Sequence, residues 1–206
     1  ILFPEIAFDE AAFLARTEEC VKKYGYCAVV VSEGVRNKDG KFLADVGTRD
    51  AFGHAQLGGV GPVVAQLVKD KLGYKYHWAV ADYLQRAARH IASKVDVEQA
   101  YAVGKAAVDL ALQGHNSVMP TIVRTSNRPY RWKIGMASLD KVANVEKMLP
   151  RDYITPDGLH ITAKGRKYLA PLIQGEDYPP YEGGLPKYVV LKNKAVKKKL
   201  KNAFVV

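Results

Sequence analysis

KYHWAVADYLQRAAR, residues 75–89, decides how the rest of the chain is read. Trp78, Val80 and Tyr76 alternate with Ala79, Ala81 and His77, a pattern that predicts a mostly buried strand. The run ends abruptly in hydrogen-bonding side chains: Asp82, Tyr83, Gln85 and Arg86. Open α/β sheets hold ligands outside the carboxyl ends of their strands, so this cluster is a candidate site. Tyr83 and Arg86 lie three apart, and a turn or helix start there brings a phenol and a planar guanidinium to one crevice, a pair suited to an anionic oxygen cluster. The same residues equally allow Tyr83 to bond the backbone and Arg86 to pair with Asp82 or Asp96.

Outward from this stretch the chain alternates strands and helices. Ile1 to Phe3 reads as a strand ended by Pro4. Asp9 caps a helix in which Phe13, Thr17, Cys20, Val21 and Tyr24 recur at helical spacing until Gly25. Tyr26 to Val31 reads as a second strand, so the first thirty residues predict a βαβ unit and a parallel sheet. Ser32, Glu33 and Gly34 follow at its ligand edge, where Glu33 is either a local cap or ion-pair partner or a site residue. Asn37, Asp39 and Gly40 mark a turn. Pro62 opens a helix through Val63, Val64, Leu67, Val68 and Leu72; the glycines before it match neither a dinucleotide fingerprint nor a P-loop and read as backbone clearance, and His54 reads as structural.

Beyond the central stretch, Asp96 with Gln99 resembles a capping box that starts a helix running to Gln113, with Ala100, Gly104, Ala107 and Ala111 forming a small face suited to close packing on a sheet. Ser117 to Arg124 and Tyr130 to Ile134 predict an antiparallel pair joined by the polar turn Thr125 to Pro129. Leu139 to Met148 predicts a short helix, Thr162 to Ile173 a helix disturbed by Pro171, and Lys187 to Leu191 a last strand after an extended connector.

The 206 residues, 48% hydrophobic and 25% charged, suit one ordinary core. No uncharged apolar run is long enough for a membrane span. Cys20 and Cys27 show neither metal spacing nor a disulfide framework, which fits a reducing cytoplasm. Net charge is +10, and seven lysines fall in the last twenty residues with no acid among them, leaving +3 elsewhere. That distribution argues against a nucleic-acid face across the fold. The tail, with Val196, Leu200 and Phe204 available to pack, reads as a solvated helix. The organisation expected is a domain over 1–186 and a terminal strand and basic tail over 187–206.

The YLQR segment, continued by SKVDVEQAYAVGKAAVDLALQG, resembles the C-terminal half of the phosphofructokinases, and most closely the pyrophosphate-dependent branch. The resemblance extends from ILFPE to YLAPLIQGEDYPP. It implies a phosphofructokinase-like three-layer αβα sandwich with a mainly parallel sheet plus a short antiparallel pair. In that family a Tyr-x-x-Arg element binds fructose 6-phosphate, which implies Tyr83, Leu84, Gln85 and Arg86 here; the family's Glu-Gly after an earlier strand implies Glu33 as a holder of sugar hydroxyls. Lys71, Lys75 and His77 stand where the family carries further substrate cations, without its arginine. ATP-dependent members usually show HIQRGG where this chain has DYLQRAA, so pyrophosphate is the implied donor and ATP the alternative.

The family's glycine-rich GGD loop, aspartate-rich catalytic and magnesium element and Met-Gly-Arg segment have no counterpart in this sequence. The expectation is therefore the sugar-phosphate-binding portion of a cytoplasmic phosphotransferase, inactive alone. Catalytic residues and Mg2+ would come mainly from an N-terminal half, and the enzyme would be a homo-oligomer that binds neither nucleic acid nor membrane. A non-catalytic regulatory or binding subunit of the same fold is the other reading.

Overall fold

The computed structural model describes residues 1–49, 55–57 and 59–197, without the side chains of 46–49, 55–57, 85 and 86. Helix α1, Glu10–Tyr24, begins where Asp9 accepts a hydrogen bond from the amide of Ala12 and ends at Gly25, whose φ of 81° is left-handed and reverses the chain. Beyond that reversal Val31 forms a parallel bridge with Leu2: the Leu2 amide donates to the Val30 carbonyl at 2.9 Å, and Ser32 returns a bond to Leu2 at 3.2 Å. The anticipated βαβ unit is thus present around α1 as a single bridge rather than a ladder.

Antiparallel pairing dominates the described residues. Strands β1, Asp45–Arg49, and β2, Ala55–Leu57, form one hairpin that the sequence reading did not anticipate. Helix α2, Val60–Leu72, follows and ends at Gly73. Residues 73–81 belong to no helix or ladder. The strand expected there is corrected on this point. Alternation signals a two-faced segment, but a strand exists only through a neighbour's N–H and C=O groups, and none is supplied among the described residues. Trp78 and Val80 are accordingly 52% and 53% exposed.

Helix α3, Leu84–Ala87, is a single turn, and α4, Lys94–Leu112, is the long helix. Its cap is Ser93, whose hydroxyl accepts from the Asp96 amide, so the box begins three residues earlier than Asp96. The helix lies on strands β3, Val118–Asn127, and β4, Tyr130–Ser138, a hairpin that matches the anticipated pair and extends it. Ala100, Gly104, Ala107 and Ala111 are exposed, while Gln99, Ala102, Val103, Ala106 and Leu110 are half-buried. The small face expected to pack is therefore the outer one.

Only a 3-10 turn forms at 139–141 in place of the helix expected to Met148, because Asn144 takes φ 58° and breaks the helical path. Helix α5, Ala163–Leu169, is capped by Thr162 and passes into a 3-10 turn at Ala170–Ile173, as Pro171 foretold. The expected strand Lys187 to Leu191 is replaced by a shorter hairpin upstream, β5 Tyr181–Glu182 with β6 Leu185–Pro186, across a Gly183-Gly184 turn with both φ positive. Residues 187–197 adopt no regular element, and Lys198, Lys199, Lys201 and the rest of the tail lie outside the described residues, as does His54.

The buried cluster joins Leu2, Phe13, Val35, Ala44, Val60 and Val64, with Phe8, Leu43 and Leu67 packed around it. Val35 is 1% exposed and Phe13 4% exposed. Thr17, buried among them, donates its hydroxyl proton to the Phe13 carbonyl at 2.9 Å, so its hydroxyl is satisfied. Because Phe13 links α1 to the rest of this cluster, Phe13→Ala should destabilise the chain by about 3–5 kcal/mol. Urea unfolding followed by circular dichroism measures this, and a cost below about 1 kcal/mol would mean that Phe13 does not anchor the core.

Candidate functional site

Glu33 stands in a tight turn. The Val35 amide donates to the Ser32 carbonyl at 3.2 Å and the Gly34 amide donates to the Ser32 hydroxyl, also at 3.2 Å. A side chain at Gly34 would come within 3.1 Å of Pro4, which explains a glycine here. Val35, wholly buried, pins the turn from its other side, and Glu33 itself is exposed. The carboxylate is thus carried on a fixed backbone without being buried, a state suited to accepting hydrogen bonds from a ligand's hydroxyls.

Asp82 controls the second part of the site. Its φ is 44°, a left-handed conformation that Asp tolerates better than most residues. The Leu84 amide donates to the Ala81 carbonyl at 2.9 Å, closing a reverse turn, and Ala87 donates to the Tyr83 carbonyl at 2.9 Å, so α3 starts at once. Tyr83 occupies the position before the helix, with φ −71° and ψ −11°. Positions 83 and 86 therefore sit on one helical turn, the arrangement the spacing anticipated. Tyr83 is 67% exposed and Leu84 is exposed as well. Gln85 and Arg86 contribute backbone to α3, but their side chains lie outside the described residues.

The three further cations are dispersed. Lys71 is on α2, 4.0 Å from Glu10, and Lys75 and His77 are exposed on the irregular segment. Tyr76, between them, donates its phenol proton to Gln66 on α2 at 3.1 Å. Together with Trp78, Pro62 and Leu43 it walls an open cleft of about 930 Å³, rimmed by Asn37 and Asp39. Glu33 and Tyr83 line neither this cleft nor the other three described. The structure places Tyr83 and Leu84 on one turn at the start of α3, and Glu33 on the separate turn after Val31.

Sequence reasoning missed the tie behind α3. Arg89 donates through one guanidinium nitrogen to the Asp177 carboxylate at 2.6 Å and through the other to the Asp177 backbone carbonyl. Lys94 and Val95 receive the same loop, donating to the carbonyls of Gly175 and Gln174. A partner 88 residues away leaves no local signal. The left-handed Asp82 does have one: an Asp between an apolar run and a helix start is a turn former.

Since Asp82 sets the direction in which the chain enters α3, Asp82→Gly should preserve both fold and stability. Asp82→Val, β-branched and unsuited to φ 44°, should cost about 1–2 kcal/mol. Chemical denaturation of the two variants tests this, and equal stability for Val and Gly would show that the left-handed turn is not required.

No protein-family model matches the chain. Curated and solved relatives do. The chain is 65% identical, over all its 206 residues, to the pyrophosphate–fructose 6-phosphate 1-phosphotransferase of Methylococcus capsulatus, covering 49% of that protein. The crystal structure of a pyrophosphate-dependent phosphofructokinase from Nitrosospira multiformis superposes with a TM-score of 0.80 and 66% identity over 97% of this chain and 47% of that one. One from Marinobacter aquaeolei gives a TM-score of 0.80 and 54% identity over 100% of this chain and 48% of that one. The chain spans about half the length of the curated relatives it matches. The fold class implied by the YLQR and Glu-Gly motifs is shared with these structures. Sequence and fold together place the chain in the phosphofructokinase family, with its pyrophosphate-dependent branch, as a stretch corresponding to about half of such a polypeptide.

Proposed function

We propose that this chain is the sugar-phosphate-binding portion of an enzyme that transfers a phosphoryl group from pyrophosphate to the 1-hydroxyl of fructose 6-phosphate in the cytoplasm, yielding fructose 1,6-bisphosphate. The observation that carries this reading is identity of 58–65% over 97–100% of the chain to relatives named for that reaction. Pyrophosphate is preferred to ATP as donor because those relatives are pyrophosphate enzymes and because Tyr83 stands where ATP-dependent members usually carry His.

In this proposal Arg86 and Tyr83 hold the 6-phosphate, Arg86 by charge-assisted bonds and Tyr83 by its phenol proton. Leu84 and Gln85 complete the same motif, Glu33 accepts hydrogen bonds from the sugar hydroxyls, and Lys71, Lys75 and His77 are secondary cations for the substrate. Positioning and charge neutralisation are the main protein contributions to phosphoryl transfer, and these residues supply them on the acceptor side. Phosphofructokinases generally use Mg2+. Among the described residues no three His, Cys, Asp or Glu side chains gather to hold a metal. The magnesium is assigned mainly to an N-terminal half, where the family carries its aspartate-rich element. A homo-oligomer completes the proposal.

The test uses the whole enzyme alongside this chain. The isolated chain should show no turnover with pyrophosphate, magnesium and fructose 6-phosphate. In the whole enzyme, Arg86→Ala should weaken fructose 6-phosphate about ten- to a hundredfold, since a bond to a charged group contributes roughly 1.5–3 kcal/mol. Arg86→Lys should recover only part of this, Tyr83→Phe should cost less than Arg86→Ala, and pyrophosphate dependence should hold in all three. Normal sugar-phosphate dependence with damaged pyrophosphate dependence would place a different ligand at α3.

A further inference from the structure

The two cysteines of the chain are brought together by the end of α1. Cys20 lies in the helix's last turns, Gly25 ends it with a left-handed φ of 81°, and Cys27 follows two residues later. Both thiols line one cavity of about 60 Å³, with Arg16, Thr17, Val29 and His160. They are within hydrogen-bonding reach of one another, with Thr17 beside Cys27 and the Ile1 ammonium group close enough to act on both thiols. Both are free and only partly buried, so a small thiol reagent has access. Arg16, 3.1 Å from His160, places a guanidinium in the same cavity, where positive charge favours a thiolate.

We propose that Cys20 and Cys27 form a modification site: a dithiol that low-molecular-weight disulfides such as oxidised glutathione convert reversibly into an intramolecular disulfide. One thiolate attacks the small disulfide, forming a mixed disulfide and releasing one small thiol. The second protein thiolate then attacks the protein sulfur of that mixed disulfide and releases the other. The protein loses two protons and two electrons, and the small disulfide leaves as two thiols. In a reducing pool the pair remains a dithiol, and a shift of that pool toward the disulfide closes it. Burial, followed by the adjacent Cys20, pushes the Cys27 thiol above its ordinary value, so exchange at Cys27 quickens as pH rises. The closed bond would fasten the segment that carries the Leu2–Val31 bridge, and Glu33 two residues beyond it, directly to α1.

The experiment equilibrates the reduced 206-residue chain with graded ratios of reduced and oxidised glutathione, quenches with acid and maps tryptic peptides without reduction. Thr17–Lys22 and Tyr24–Arg36 should be recovered joined, and the intact monomer should be lighter by about 2 Da. The effective concentration of the two thiols should be roughly tenfold or more higher in the native chain than in urea, because the fold pre-positions them. Cys20→Ser and Cys27→Ser should each instead retain one glutathione adduct, the thiol that would resolve it being gone. Four results would overturn the proposal: stable adducts on both wild-type thiols, disulfide-linked dimers in place of the internal bond, no reaction, or equal closure with and without urea. The wild-type titration stands whether or not the serine variants fold.

Discussion

The anchoring of α1 between Leu2 and Val31 is the constraint on which the first half of the structure depends. A helix of this length is marginal on its own and persists through the apolar face it buries. Phe13 supplies that face, with Leu2 beneath it and Val35, Val60 and Val64 against it. Phe8 and Phe13, with ring centroids 5.6 Å apart and planes tilted by 49°, add an aromatic contact at the helix entry. The Leu2–Val31 bridge then delivers Ser32 and Glu33 to a fixed place, and Val35 holds the turn from below. Removing apolar contact from this cluster would release the carboxylate as well as the helix.

The second half rests on a different device. Helix α4 covers the long β3–β4 hairpin, and the guanidinium of Arg124 lies between the rings of Tyr130 and Tyr168, 4.8 and 4.7 Å from their centroids. One nitrogen of Arg124 donates to the Tyr168 carbonyl at 2.7 Å, joining the hairpin to α5. Gln99 on α4 donates to the Tyr130 phenol at 2.6 Å, so helix, hairpin and α5 meet at one polar and aromatic junction. Between this half and the first runs the irregular segment 73–81 with α3 at its end, backed by the Arg89–Asp177 tie. The candidate phosphate-binding turn is thus held from behind by a charged pair that is only about one-third exposed, where it is less screened than at the open surface.

Local chemistry alone determined much of this protein. Helix ends at Asp9, Gly25, Thr162 and Pro171, the turn at Asn37 to Gly40 and the antiparallel hairpin were legible because a cap, a left-handed glycine or a polar turn acts on the backbone within a few residues of itself. The Tyr83 to Arg86 turn and its family were legible for the same reason, being one short contiguous motif. Tertiary structure decided what depends on a distant partner. Residues 75–82 carry a strand's alternation, yet no neighbour pairs with them among the described residues. The alanine and glycine face of α4 lies outward because the larger Val103 and Leu110 face supplies more apolar area to the hairpin. Only the chain reversal at Gly25 set Cys27 beside Cys20, and only a contact spanning 88 residues tied Arg89 to Asp177, because a sequence lists neighbours along the chain whereas packing chooses them across space.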